Sequence, residues 1–337
     1  MSSGPTDTVG IRGFGFLELL ISLGLGLLLL AVVAHLMAAG RGASKHLGYR
    51  ASERESIGLV TQMFRQTLAG AGHLGCLAGP QTTVNTLNLA WEHLGVLEPW
   101  PAVEIVDDPH SAPSFADIQG LATRSQALLV RGYGRPLARL NQALAQGRGE
   151  ATLHRVDGRV SSGDLVFISD CQLGVLFSAT RTWHSQGRVR FSWDAGSGDL
   201  DNASTGVTFD GTPVSADLDQ LGLAADARLW APTGSRLYVA ESRVRGDGSQ
   251  SYGLWQKPVR GNALELVTGV QRLHFRYGAI RTGGSGQMGY FDRARLPTDA
   301  RVVLLAVRFF LRVEREHSEP VWRPVEIAVP LTSAPVP

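Results

Sequence analysis

No Asp, Glu, Lys or Arg occurs between Leu19 and Gly40, and most of the residues there are Leu, Gly, Ala or Val. An apolar run of about 20 residues is what an α-helix needs to cross the hydrocarbon core of a bilayer. A lone segment in lipid must be helical, because its backbone has only itself to hydrogen-bond with. Past this run, Ile57, Val60, Phe64 and Leu68 recur at helical spacing, and Glu53, Arg54, Glu55, Gln62 and Arg65 are assigned to the other face. The pattern predicts one helix over 14–72, apolar in its first half and amphipathic in its second, with a stripe that packs on a sheet. Gly24, Gly26, Gly40 and Gly42 each weaken it by about 1 kcal/mol relative to Ala. In lipid such glycines are tolerated and allow helices to approach closely. At ~1.5 Å per residue this helix reaches about 85 Å, so it protrudes well beyond a bilayer. The segment 72–76, Gly-His-Leu-Gly-Cys, ends it.

The rest of the chain reads as short strands and turns. The clearest strand is 301–313, where Val303, Leu305, Val307, Phe309, Leu311 and Val313 share one face at period two. Shorter strands are predicted at 103–106, 127–130, 188–193, 235–244, 252–255, 264–277 and 325–331, with a hairpin over 160–177. A helical turn is predicted within 137–146. The Gly-, Ser-, Asp- and Asn-rich stretch 194–212 and the Gly-rich stretch 283–289 read as loops. The fold class is therefore α+β: a long N-terminal helix whose second half packs on an antiparallel sheet, in a β-rich body with a sizeable insertion.

Composition adds three constraints. The chain has 337 residues and a net charge of +2, which excludes the global basic field of a nucleic-acid binder. Its 40 glycines and 16 prolines fit many turns and short strands. Its two cysteines, Cys76 and Cys171, are buried thiols if the body is cytosolic and a disulfide if it lies outside the inner membrane. Arg12 precedes the apolar run, whereas Arg41, Lys45, Arg50 and Arg54 follow it, so flanking charge alone would orient the body to the cytoplasm.

Glu18, a carboxylate at the mouth of the apolar run, costs about 2.5–3.5 kcal/mol if taken deep into a bilayer, and so calls for a partner. Gly13 followed by Phe14, with Glu18 five positions after the glycine and the apolar helix beyond, resembles the class III signal of type IV pilins and pseudopilins. Gly15 stands where Thr or Ser is common, and Phe16-Leu17 where Leu-Ile is common; the apolar character is kept. Further along, 72–76, Ser169-Asp170-Cys171, 265–270 leading to Tyr277-Gly278, and the strand through Ala306-Val307-Arg308 resemble the PilW family of minor type IV pilins. The resemblance implies a leader over 1–13, a fibre-core and transmembrane helix half over 14–40, an amphipathic half over 41–75 and a periplasmic body over 76–337. It implies cleavage between Gly13 and Phe14 by a prepilin peptidase, N-methylation of Phe14, and an assembly-register role for Glu18. It implies an inner-membrane protein with a periplasmic body, opposite to the flanking-charge orientation, which later joins a surface fibre. In that compartment Cys76 and Cys171 are expected to be joined, a closure worth roughly 4–5 kcal/mol on the chain-entropy model. The implied partners are other minor pilins, the major pilin, the prepilin peptidase, the inner-membrane assembly platform and a tip adhesin. The implied role is priming pilus assembly near the fibre tip. A minor pseudopilin of type II secretion, of the large J type, shares the same signal. A membrane-anchored periplasmic enzyme is a rival from a different class, and a DNA-uptake pilin is a third possibility.

Residues able to carry catalysis or bind metal do not form a recognisable motif. There is no His-Glu-x-x-His, paired Cys-x-x-Cys, Gly-x-Ser-x-Gly or Walker loop, so no cofactor, no metal and no catalytic residue is assigned. Asp199-Leu200-Asp201-Asn202 lacks the Asp-x-Asp-x-Asp-Gly order and distal Glu of a calcium loop. His35 reads as a helix-contact or interfacial residue rather than a ligand, and Trp183, Trp193, Trp230 and Trp255 as core or turn-packing residues rather than a stacking platform. Arg131, Arg135 and Arg139 read as a solvated face, which argues against a nucleic-acid partner.

Overall fold

The computed structural model describes residues 15–140, 150–154, 160–185, 188–243, 251–259, 261–281, 286–315 and 318–331. Helix α1 spans Phe16–Ala69, 54 residues without a break. Its segment Phe16–Met37 is long and apolar enough to cross a membrane, and none of it is buried by the rest of the chain. Packing begins in the second half, where Val60, Phe64 and Leu68 are fully buried. The helix stops at Gly70, and Gly72 takes a left-handed φ of 72° that turns the chain back. Gly132 presses against this turn: a Cβ there would lie 2.3 Å from the Gly70 carbonyl oxygen, so no other residue fits.

Nineteen strands follow among the described residues. In chain order they are β1 (Thr83–Leu87), β2 (Val103–Val106), β3 (Ala127–Val130), β4 (Tyr133–Leu140), β5 (Glu150–His154), β6 (Asp164–Ser169) and β7 (Gly174–Ala179). Next come β8 (Arg181–Ser185), β9 (Arg188–Ser192), β10 (Asn202–Thr208), β11 (Pro213–Ser215), β12 (Arg228–Pro232) and β13 (Ser235–Glu241). The last six are β14 (Tyr252–Pro258), β15 (Leu264–Thr268), β16 (Val270–Arg281), β17 (Met288–Phe291), β18 (Ala300–Arg315) and β19 (Ser318–Pro330).

Two antiparallel sheets carry the helix. One has the order β15-β14-β13-β3-β2 and the other β17-β16-β18-β19. Their inner faces share one core with Val60, Phe64 and Leu68, in which the Phe64 ring meets Phe275 edge-on at 5.9 Å. Tyr277 links the two sheets through its hydroxyl, which accepts from the Ile105 N–H at 3.2 Å and donates to the Val103 carbonyl at 3.3 Å.

The third sheet has ten strands, β11-β10-β1-β7-β6-β12-β4-β5-β9-β8, and most of it is inserted between β3 and β13. Strands β7 and β8 are separated only by Thr180, whose N–H donates to the Ser192 carbonyl at 2.9 Å. Because β7 pairs with β6 while β8 pairs with β9, the continuous β7–β8 segment and the five strands between its two halves (β6, β12, β4, β5 and β9) close into a small barrel of six positions. Its interior is apolar, with Leu153, Ile168, Phe177, Val189, Phe191 and Leu229 among its fillers.

Several local readings change. Glu53 lies on the packed stripe, not the opposite face; the 53, 57, 60, 64, 68 spacing continues the stripe one step back, and Arg323 of β19 meets the carboxylate at 2.7 Å. The turn of helix expected within 137–146 is strand β4 as far as Leu140, and 141–149 lies outside the described residues. Pairing on both sides, with β12 and β5, overrides the local preference. The loop expected over 194–212 contains β10, which pairs with β1 through its backbone. In β18 the core face begins at Val302, which is buried, while Val303 is only half-buried. Opposite Gly278 and Ala279 the register slips by one residue, and this bulge reverses the alternation before Leu305.

Truncating the central anchor of the stripe tests this packing. Phe64→Ala is expected to cost about 3–5 kcal/mol in urea unfolding of the full chain in detergent. Leu59→Ala, on the exposed side of α1 (43% exposed), is expected to stay within about 0.5 kcal/mol of the parent.

Candidate functional site

The expected site residues fall at two ends of α1. Gly13 and Phe14 lie outside the described residues. Glu18 stands exposed in the first turn of the helix, and its N–H donates to the Gly15 carbonyl at 3.0 Å. A carboxylate is favoured here by the partial positive charge of the helix N-terminus. Among the described residues no hydrogen bond or ion pair reaches that carboxylate. Ser22 hydrogen-bonds its own helix, to the Leu19 carbonyl at 3.0 Å, and His35 is exposed on the same apolar half.

At the other end, Cys76 and Cys171 form a disulfide, with Cα atoms 4.7 Å apart at a sequence separation of 95. It joins the turn after α1 to the hairpin between β6 and β7. The Asp170 carboxylate builds that hairpin, accepting the N–H groups of Gln172 at 3.0 Å and Leu173 at 2.9 Å on one oxygen. Its other oxygen accepts the Ala224 N–H at 2.8 Å. Cys171 itself has φ +73°, an uncommon conformation for a side chain to adopt, and the cap and disulfide together hold it there. Beside the disulfide, His73 Nδ1–H donates to the Tyr133 carbonyl at 2.8 Å, and the His73 ring meets Trp230 edge-on at 5.1 Å.

A second fastening was not anticipated. Arg131, expected on a solvated face with Arg135 and Arg139, is 3% exposed. Its Nε donates to the Gly95 carbonyl at 2.7 Å and its Nη1 to the Pro101 carbonyl at 2.9 Å. Its Nη2 lies 3.1 Å from Glu98 and 2.8 Å from Glu104, and Glu104 also meets Arg293 at 2.9 Å. Burial pushes the Glu98 carboxyl above its usual value, an effect that Arg131 opposes. Arg135 and Arg139 are exposed as expected. No charge pattern marked Arg131 out; the signal lay in the acids at 98 and 104, which sequence distance hides.

The acidic loop offers no cation cage. Among the described residues no group of three or more His, Cys, Asp or Glu side chains is placed to hold a metal. Asn202 is buried and bonds both the N–H (2.8 Å) and the carbonyl (2.7 Å) of Ser178. Asp201 accepts the Gly198 N–H at 2.9 Å, so it closes its own turn. Trp193, Trp230 and Trp255 are buried as packing residues, whereas Trp183 on β8 is 39% exposed. The arrangement thus provides an uncovered apolar helix, an isolated carboxylate near its start and a stapled junction at its end. No family model, curated protein or solved structure matches the chain.

Removing the buried cation tests the second fastening. Arg131→Met leaves Glu98 and Glu104 facing each other without it, and is expected to cost about 3–5 kcal/mol in urea unfolding. Adding Glu98→Gln and Glu104→Gln to the same chain is expected to recover part of that loss.

Proposed function

We propose that the chain is a minor type IV pilin, anchored in the inner membrane by α1 with its body in the periplasm, and later built into a pilus. The observation that carries this reading is the division of one continuous helix. Its first part buries nothing on its own body, while its second part is locked onto a β-rich body. A simple anchor needs no rigid extension of this kind. A fibre subunit does, because the uncovered half must pack against the same half of other subunits once it leaves the lipid.

Glu18 supports the same reading. Its carboxylate needs a cation in any apolar setting. In a bundle of such helices, the amine of a neighbouring subunit that starts at a cleaved Phe14 supplies one. Pairing opposite charges in low dielectric offsets much of the desolvation of each. It also sets axial register, because one stagger brings the two groups together. The chain's own Phe14 amine, about one turn away, is the competing partner. The partners of this reading are the other minor pilins, the major pilin, the prepilin peptidase and the assembly platform. The disulfide fits an oxidising periplasm.

Two outcomes are expected. N-terminal mass spectrometry of membrane-extracted protein should find Phe14 as the first residue, with a methylated amine. An intact Met1 in cells with active prepilin peptidase would sink the pilin reading. Glu18→Ala should still be cleaved and still sit in the inner membrane, yet fail to co-purify with minor pilins and reduce surface pili. Normal piliation and normal co-purification would show that Glu18 pairs only within its own chain.

A further inference from the structure

The outside of the barrel carries a charge pattern that folding does not require. Cross-strand register places Arg181 and Trp183 of β8, Arg188 and Arg190 of β9, Arg139 of β4 and Arg228 of β12 on one face. Their sequence neighbours Ala138, Leu140, Val189, Phe191 and Leu229 point the other way and fill the barrel. Arg139 stands directly across from Arg228. Like charges opposite one another destabilise a sheet, so this pairing is a cost to the fold. Arg228 and Arg188 lie three strand spacings apart in the same row, about 14 Å at ~4.8 Å per spacing.

The second row is partly set in place. The guanidinium carbons of Arg181 and Arg190 lie 5.6 and 5.4 Å from the centroid of the Trp183 ring. Arg181 also forks onto Asp194, with Nε at 3.2 Å and Nη2 at 2.9 Å, and Ser192 and Thr180 bond the same carboxylate oxygen. Arg139 approaches Asp226 at 4.0 Å, but both are more than half exposed, so the pair is weak. Arg139, Arg188 and Arg228, in one row on a rigid surface beside the Arg181–Trp183–Arg190 stack, suit an anionic polymer with planar or forked acceptors.

We propose that this face binds a linear acidic polysaccharide, whose carboxylate or sulfate groups are taken by these arginines. Lipid headgroups are not the source, because about 50 Å of helix separates Met37 from Ala69, where the barrel attaches. Single-stranded nucleic acid is served by successive open aromatic faces. Here Phe177, Phe191 and Trp193 are buried, and the Trp183 ring is already engaged by two guanidiniums. The inference does not rest on the pilin reading.

The test uses the full chain in non-ionic detergent at about 0.15 M salt, where long-range attraction is screened. Fluorescently labelled heparin oligosaccharide, oligogalacturonate and a single-stranded oligonucleotide are titrated by anisotropy. At least one polysaccharide should bind, and more tightly than the oligonucleotide. The triple variant R139Q/R188Q/R228Q should bind it at least about tenfold more weakly. The control R281Q/R295Q/R301Q removes three exposed arginines at the four-stranded sheet and should change affinity by less than about twofold. Retention of the Cys76–Cys171 crosslink and a melting temperature no lower than the parent's would verify that each variant is folded. No binding of either polysaccharide overturns the proposal, as does equal loss in the control. Tighter binding of the oligonucleotide also overturns it and assigns the face to nucleic acid.

Discussion

The orientation of the long helix depends on one strip of apolar contact. Val60, Phe64 and Leu68 enter the core shared by two sheets, and Ile57 packs at its edge. Burying three such side chains contributes on the order of 5–9 kcal/mol before ordering costs are subtracted. That is comparable with the whole stability of a typical domain. The first half of α1 has no such support from its own chain. The helix is therefore a lever clamped at one end, and its free end takes a direction that the body dictates. At the margin of the clamp, the Glu53–Arg323 pair joins α1 to the final strand, so a charge contact continues where apolar contact thins out.

The body holds two lobes by different chemistry. The sheets under the helix share an apolar core and the hydroxyl bridge of Tyr277. The barrel has its own core and is attached by an apolar cluster that includes Leu74, Leu97, Tyr133, Phe167 and Trp230, reinforced by polar and covalent contacts. The disulfide fastens the turn after α1 to the β6–β7 hairpin, and Arg131 gathers the segment around Gly95, Glu98 and Pro101 beside β3. Both fastenings meet the turn where the helix ends: Cys76 lies just after it, and the Arg131 carbonyl accepts the Gly72 N–H at 2.9 Å. A covalent bond and a buried ion cluster tolerate little slippage, so the junction behaves as a fixed corner rather than a hinge.

Periodicity made the long helix legible, including its packed stripe at Val60, Phe64 and Leu68, because spacing alone reports a face. The strands at 103–106, 127–130 and 235–241 were legible for the same reason, being apolar runs bounded by turn residues. Strand β1, Thr83–Leu87, was not, because three of its five buried residues are polar. Thr83, Asn85 and Thr86 satisfy themselves through bonds to Pro80, Leu89 and Leu176, partners that hydropathy does not see. Strand β10 was hidden likewise by Asn, Ser and Thr. The bulge at Val303 was invisible because an alternation read from one strand cannot reveal a slip against its neighbour. Of the candidate site, the cysteine pair was legible once a compartment was assumed. Arg131 was missed because an arginine between an apolar strand and Gly132 looks the same whether solvated or buried.

The order of the strands along the chain has a consequence for biosynthesis. The strip on α1 finds its partners in β15, β16, β18 and β19, all late in the sequence. A ribosome adding ~5–20 residues per second needs roughly 10–50 s to pass from Leu68 to the last strand. During that interval the strip has no native cover, while the apolar run ahead of it is already made. Strand β1 waits similarly, since its neighbours β7 and β10 are synthesised about 90 and 120 residues later. The nascent protein is thus exposed to proteases and to misassociation until its last strands arrive. Truncation within these last strands would leave the clamp open however complete the barrel had become.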